Sequence, residues 1–220
     1  MEKYLRPTFF INSDHHDIIE FATQNIKENQ TIIEKAISLY YAVRDGIRYD
    51  PYTMEPKKES IKASLVLKKG RGYCVAKAVL LAACARSQKI PARLGFADVQ
   101  NHLNTKKLKE LMGTDTFFYH GFTELFLKNQ WVKATPAFNL ELCNNFNVKP
   151  LEFDGTKDSI FHPFDKSGNK HMEYIKDHGS FADLPWDMIM ADSKKAYPKY
   201  FEDLERRSND FAKEALKENQ

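Results

Sequence analysis

Residues 70–96 read GRGYCVAKAVLLAACARSQKIPARLGF. From Tyr73 the run is rich in Ala and Leu with hardly a polar residue, the composition of a helix apolar on nearly all sides. Such a helix belongs inside a core, so its N-terminal turn, and not one face, is where it meets solvent or substrate. Cys74 sits at that turn, behind the glycine-punctuated basic stretch Lys68, Lys69, Gly70, Arg71 and Gly72. Lys89, Ile90 and Pro91 break the pattern, and Ala92 to Val99 alternates as a strand.

Working outward, Gln100 to Thr116 is a polar, lysine-rich excursion that reads as a surface insertion, with Lys106 to Lys109 a solvated stretch. Phe117 to Leu127 reads as a strand, Lys128, Asn129 and Gln130 turn it, and Trp131 to Thr135 returns as a second strand ended by Pro136. Period-two alternation puts His120, Phe122 and Glu124 on one face and Gly121, Thr123 and Leu125 on the other. Closing the hairpin brings Thr135 within about two residues of His120. Upstream, Thr31 and Glu34 form a capping box ahead of Ile33, Ala36, Ile37, Tyr40, Tyr41 and Val43, a helix that Gly46 stops. A short helical stretch follows around Ile61 to Leu67. Beyond Asn139 the pattern predicts a short helix at Leu140 to Asn145, turns at Asp154-Gly155 and Ser167-Gly168, and a helix after Pro185. The charged stretch from Tyr197 to Glu218 is helix-prone, with Phe201, Leu204, Phe211 and Leu216 as apolar anchors packing on the core from outside.

The 220 residues, 42% hydrophobic and 13% aromatic, suffice for one hydrophobic core and argue against disorder. The expected division is one domain over 1–220, with a core at 31–139 and a C-terminal extension at 140–220 packed on it. The formal charge of +3 is spread along the chain, which excludes a phosphate-tracking stripe and makes nucleic acid an unexpected partner. No apolar run is long enough to span a membrane, and the N-terminal stretch lacks a signal-peptide core, so the expected location is cytoplasmic with no membrane partner. Cys74, Cys84 and Cys143 are an odd, sparse set without metal-ligand spacing.

A thiol at a helix N-terminus feels the positive end of the macrodipole and free N–H groups, which favour thiolate, and Lys68, Lys69 and Arg71 push the same way. With an imidazole in reach, the pair can exist as thiolate and imidazolium, a nucleophile beside a general acid. The Cys74 N–H is left free to receive an oxyanion. The run at 70–96 resembles the nucleophile segment of the transglutaminase-like superfamily, and HGFTELFLKNQWVKATP at 120–136 resembles its histidine hairpin. YYAVRDGIRYDPY at 40–52 is similar to the segment preceding the cysteine in bacterial members, so the resemblance covers roughly Thr31 to Asn139. It implies an α+β, papain-like fold, with the catalytic helix packed on an antiparallel sheet, and enzymes that hydrolyse or transfer the acyl groups of peptide or protein amides without a cofactor; the C-terminal helical extension lies outside it and is read from the residues alone. It also implies Cys74 as nucleophile and His120 as acid and base. Its third residue is an aspartate directly before the proline of the second strand; here that position is Thr135. In the serine-triad template, loss of that carboxylate costs on the order of 10⁴ in rate. Thr135 or Asn139 can orient the ring by a neutral hydrogen bond, or Asp154 or Asp158 can reach in from the tail.

Two functions follow: a thiol-dependent hydrolase or acyltransferase with an atypical third residue, or a catalytically lapsed domain that binds a peptide or protein. Cys84, deep in the apolar helix, and Cys143 read as small buried hydrophobes. Glu124 shares the face of His120 as a possible support. A metal site at His15, His16 and Asp17, or among His162, His171 and His178, matches no ligand spacing, and a metal-dependent enzyme ranks last.

Overall fold

The computed structural model describes residues 1–202 and 211–218. The elements run α1 (His16–Gln24), α2 (Ile32–Gly46), β1 (Arg48–Tyr49), α3 (Ala63–Lys69), β2 (Arg71–Gly72), α4 (Cys74–Ser87), β3 (Ala92–Asn101), α5 (Lys106–Met112), β4 (Thr116–Leu127), β5 (Gln130–Ala134), α6 (Leu140–Asn145), β6 (Met172–Phe181), α7 (Trp186–Ala196), α8 (Pro198–Glu202) and α9 (Phe211–Glu218). The four longer strands form one antiparallel sheet in the order β5-β4-β3-β6, and β1 pairs in parallel with β2.

The local chemistry explains the elements that carry the site. Thr31 and Glu34 close the capping box of α2, the Glu34 carboxylate accepting from Thr31 N–H at 2.7 Å. Every residue of α4 from Cys74 to Arg86 is buried, as its composition requires. Its two basic residues, Lys77 and Arg86, are accommodated there because backbone carbonyls accept their hydrogen bonds. Lys77 Nζ donates to the carbonyls of Arg44 (2.8 Å) and Ile47 (2.5 Å), closing the end of α2, and Arg86 donates to those of Arg6, Ala92 and Ala182.

Helix α4 lies on the face of the sheet formed by the odd-numbered residues of β4. Thr123 Oγ1 donates to the Ala78 carbonyl at 2.8 Å, and a Cβ added to Gly121 would stand 2.8 Å from Val75 Cα. Gly121 is therefore a spacer that lets helix and strand touch. On the opposite face Glu124 accepts from Arg93 Nε and Ser180 Oγ, each at 2.5 Å, so it supports the sheet and not His120. The β4–β5 hairpin turns through Lys128 and Asn129, both left-handed (φ 47° and 64°), the pairing that suits a two-residue turn.

Three features depart from the pattern read in the sequence. Helix α1 was not anticipated; only Ile18 and Ala22 of it are buried. The polar excursion contains α5, whose Leu108 and Met112 turn inward, so it is more than a surface insertion. The segment after residue 140 contributes a strand, β6, as well as helices. In α9, Phe211, Ala212 and Ala215 are buried while Leu216 is exposed, and Phe201 is partly buried; Leu204 lies outside the described residues. Among the described residues no helix is long and apolar enough to cross a membrane.

Candidate functional site

Cys74 is the first residue of α4, and Tyr73 before it provides no side-chain cap. The helix-end amides are thus available to the sulfur. Its own N–H, that of Val75 and that of Gly121 from β4 all act to favour a thiolate. Burial acts the other way and is stronger: the residue is 6% exposed, and the thiol is pushed up to about 11. The nearby cations are engaged elsewhere, Arg71 with Asp50 (3.0 Å) and Lys69 with Glu55 (3.7 Å). Desolvation therefore reverses the shift that the helix end and the basic turn lead one to expect.

His120 follows the same logic. It precedes Gly121 on β4, opposite Ala97 of β3, and its ring lies 5.0 Å from that of Phe161. Burial lowers its imidazole to about 3, and among the described residues Nε2 has no hydrogen-bond partner. Neither the thiol nor the ring is charged in this closed arrangement, and no hydrogen bond joins Cys74 to His120 among the described residues.

The third position is equally unengaged. The β4–β5 register, continued one step beyond Thr123 and Ala134, sets Thr135 opposite Phe122, two residues from His120. Thr135 Oγ1 is buried without a partner among the described residues, while its carbonyl accepts from Tyr40 Oη at 3.1 Å. Asn139 accepts from Tyr49 N–H (3.0 Å), Asp158 from Lys133 N–H (2.9 Å), and Asp154 caps its own turn at Thr156 and Lys157. None of the four is hydrogen-bonded to His120.

A cavity of about 40 Å³ opens in front of Cys74, room for a few water molecules. Tyr73, Val75 and Tyr119 line it from the core, Leu108 from α5, and Ile189 and Tyr197 from α7 and its end. Among the described residues none that lines it is charged. On the other side of the site, Phe161 covers His120 and its N–H donates to Tyr174 Oη at 3.3 Å. Residues beyond 140 thus cover both members, which is why both are dry.

Of the remaining histidines, His15 Nδ1 accepts from Asp17 N–H and caps α1, and His162 is exposed. His171 is buried, with both ring nitrogens lacking a partner among the described residues and its imidazole lowered to about 4 by burial. No group of three or more His, Cys, Asp or Glu close enough to hold a metal occurs among the described residues. Cys84 and Cys143 are buried free thiols pushed up to about 12 and about 11. Asp98 and Tyr119, missed in the sequence reading, form a cluster at the edge of the pocket with His178, which was considered in that reading only as a metal ligand. Asp98 Oδ1 lies 2.7 Å from His178 Nε2 and accepts from Tyr119 N–H at 3.0 Å. An aspartate in the apolar middle of β3, between Phe96-Ala97 and Val99, was the signal available.

The family model of the transglutaminase-like superfamily matches residues 19–136, the segment that holds α4, β4 and β5 and both Cys74 and His120. The chain belongs to the transglutaminase-like superfamily. Its antiparallel sheet with the cysteine-bearing helix on one face is the α+β, papain-like arrangement of that family. Among curated proteins none matches. A solved structure of a candidate cysteine protease from Cytophaga hutchinsonii is similar at 14% identity and a TM-score of 0.48 over 81% of this transglutaminase-like chain and 53% of the other. The chain thus spans about half the length of that structure.

Proposed function

We propose that this transglutaminase-like chain is a thiol-dependent enzyme acting on peptide or protein amides, with Cys74 as nucleophile, His120 as acid and base, and Thr135 in place of the usual carboxylate. The observation that carries the reading is the placement of Cys74 as the first residue of the uncapped end of α4, where the helix touches β4 at Gly121, next to His120, with the amides of Gly121 and Val75 acting to lower its thiol pKa against burial. Amides so placed stabilise negative charge wherever it develops, on the thiolate first and then on the oxyanion.

In this reading both groups rest neutral, and His120 removes the thiol proton as sulfur attacks the amide carbonyl carbon. The C–S bond forms, the carbonyl π electrons move to oxygen, and the amides receive that oxyanion. On collapse the C–N bond breaks, the amine leaves with the proton held on His120, and a thioester remains. Water then gives hydrolysis, and a second amine gives acyl transfer. The resting neutrality suits a buried pair: the proton moves to His120 only as the C–S bond forms, so no free thiolate has to be stabilised beforehand. The segment beyond residue 140 belongs in this reading to the same functional unit, since it covers the pair.

A second reading, a lapsed domain that binds its peptide without turning it over, draws on Thr135, whose hydroxyl supports no imidazole. Alkylation of each cysteine by iodoacetamide between pH 6 and 10, read by peptide mass spectrometry, separates the two. A thiol acting alone with its pKa near 11 labels about tenfold faster per pH unit below that value. Assistance by His120 makes the profile of Cys74 flatter and its rate at neutral pH far above that of Cys84 or Cys143. His120→Ala then removes the excess, and Thr135→Asp increases it. Labelling of Cys74 no faster than Cys84, and indifferent to His120→Ala, sinks the enzyme reading.

A further inference from the structure

Tyr119, directly before His120, has its backbone in the left-handed region at φ 55°, where a bulky side chain is disfavoured. Three contacts hold it there. Its N–H donates to Asp98 Oδ1 (3.0 Å), its ring stacks on His178 with centroids 4.1 Å apart and planes at 21°, and its hydroxyl donates to Asp192 Oδ2 (2.7 Å). Asp98 stands where the ladders slip: the β3–β4 register shifts between Ala97 and Val99, and the β3–β6 register between Asp98 and Val99. Bulges of this kind re-aim side chains next to functional sites. The Asp98 and His178 side chains are 8% and 12% exposed and lie 2.7 Å apart, so one carboxylate oxygen serves both the ring on β6 and the backbone of β4.

We propose that Asp98 and His178 are positioning residues of the site, acting through Tyr119. The clamp does two things at once. It fixes the peptide plane that enters His120, and so where that imidazole begins, and it sets the Tyr119 ring as a wall of the cavity in front of Cys74. A carboxylate is missing at Thr135, where it would orient the imidazole by its side chain; Asp98 supplies orientation by the backbone instead. Two of the clamp's members, His178 and Asp192, come from β6 and α7, outside the residues matched to the family. The proposal rests on the reading of Cys74 and His120 as the working pair.

The test compares Asp98→Asn, Asp98→Ala and the double variant Asp98→Ala/Tyr119→Gly by two readouts on the full chain: the pH profile of Cys74 alkylation, and the position of the His120 ring resonances by NMR. Asparagine keeps an oxygen for the Tyr119 N–H; alanine does not. Glycine adopts the left-handed conformation without a clamp. Asp98→Ala is expected to slow Cys74 by about tenfold and move the His120 resonances, because a small misplacement of a reacting group is costly. Asp98→Asn should stay within about threefold of wild type, and the glycine at 119, although it removes the ring that walls the cavity, should return the His120 resonances toward their wild-type positions. Unmoved His120 resonances in Asp98→Ala, or resonances displaced as far in the double variant as in the single, overturn the proposal. If instead His120→Ala leaves Cys74 labelling unchanged while Asp98→Ala still shifts the His120 resonances, the working-pair reading falls and the clamp stands.

Discussion

His178 and His120 lie on one sheet, two strands apart, and differ in everything their surroundings give them. His178 has a carboxylate at 2.7 Å and an aromatic ring stacked at 4.1 Å. His120 is more deeply buried, its Nε2 has no partner among the described residues, and only burial acts on its pKa. Buried polar groups in native proteins are paired as a rule, so a pair left incomplete marks a place where the fold bears a cost that something else recovers. On the reading proposed above, the satisfied histidine holds its strand and the unsatisfied one is left to act on substrate. The same contrast separates Arg86 and Lys77, whose protons reach backbone carbonyls, from Thr135, whose hydroxyl reaches nothing described.

Acid provides the largest test of that contrast. Burial holds His120 down to about 3 and His171 down to about 4, against about 6.5 when unfolded. A depressed base contributes stability above its unfolded pKa and loses it as pH falls toward the folded value. Each histidine should therefore remove on the order of 2 kcal/mol between pH 6.5 and 4.5. Urea unfolding across that range should show the loss, and His120→Phe with His171→Phe should flatten it. A wild-type curve flat to pH 4.5 would mean that these rings are solvated or partnered in solution.

Next in size is Gly121→Ala. Its Cβ would meet the backbone of α4 2.8 Å away, at Val75 Cα, and backbone cannot swing aside. About 1 to 3 kcal/mol of stability should be lost, with the Cys74 labelling advantage, as helix and strand separate. Retention of both would show that the contact is looser than drawn.

The two histidines should then respond to the same substitution with opposite signs. His178→Phe leaves Asp98 buried beside Tyr119 N–H alone and should destabilise by roughly 1 to 3 kcal/mol in chemical denaturation. His120→Phe removes an unpartnered polar atom in contact with Phe161 and should leave stability unchanged or raised by up to about 1 kcal/mol, while abolishing the excess reactivity of Cys74. Equal destabilisation at both positions would erase the distinction drawn between them.

Much of this was legible in local pattern. The capping box at Thr31, the all-apolar helix from Cys74, the hairpin with its turn at Lys128 and Asn129, and the helix after Pro185 each announce themselves within about 15 residues, the range over which caps, periodicity and turn chemistry act. Strand β6 did not, because it is an edge strand whose middle is exposed and charged and so shows no apolar alternation. Helix α5 hid two inward residues, Leu108 and Met112, in a lysine-rich stretch.

The sequence by itself determined where the thiol, the imidazole and the threonine stand along the chain, and that the first of them begins a buried helix. Only the tertiary structure decided the charge of the first two. The helix end and its basic neighbours favour a thiolate locally, but Phe161, Tyr174, Ile189 and Tyr197, from 87 to 123 positions beyond Cys74, exclude the water that would solvate it. Desolvation depends on what is packed around a group and not on what precedes it in the chain, so no local reading contains it.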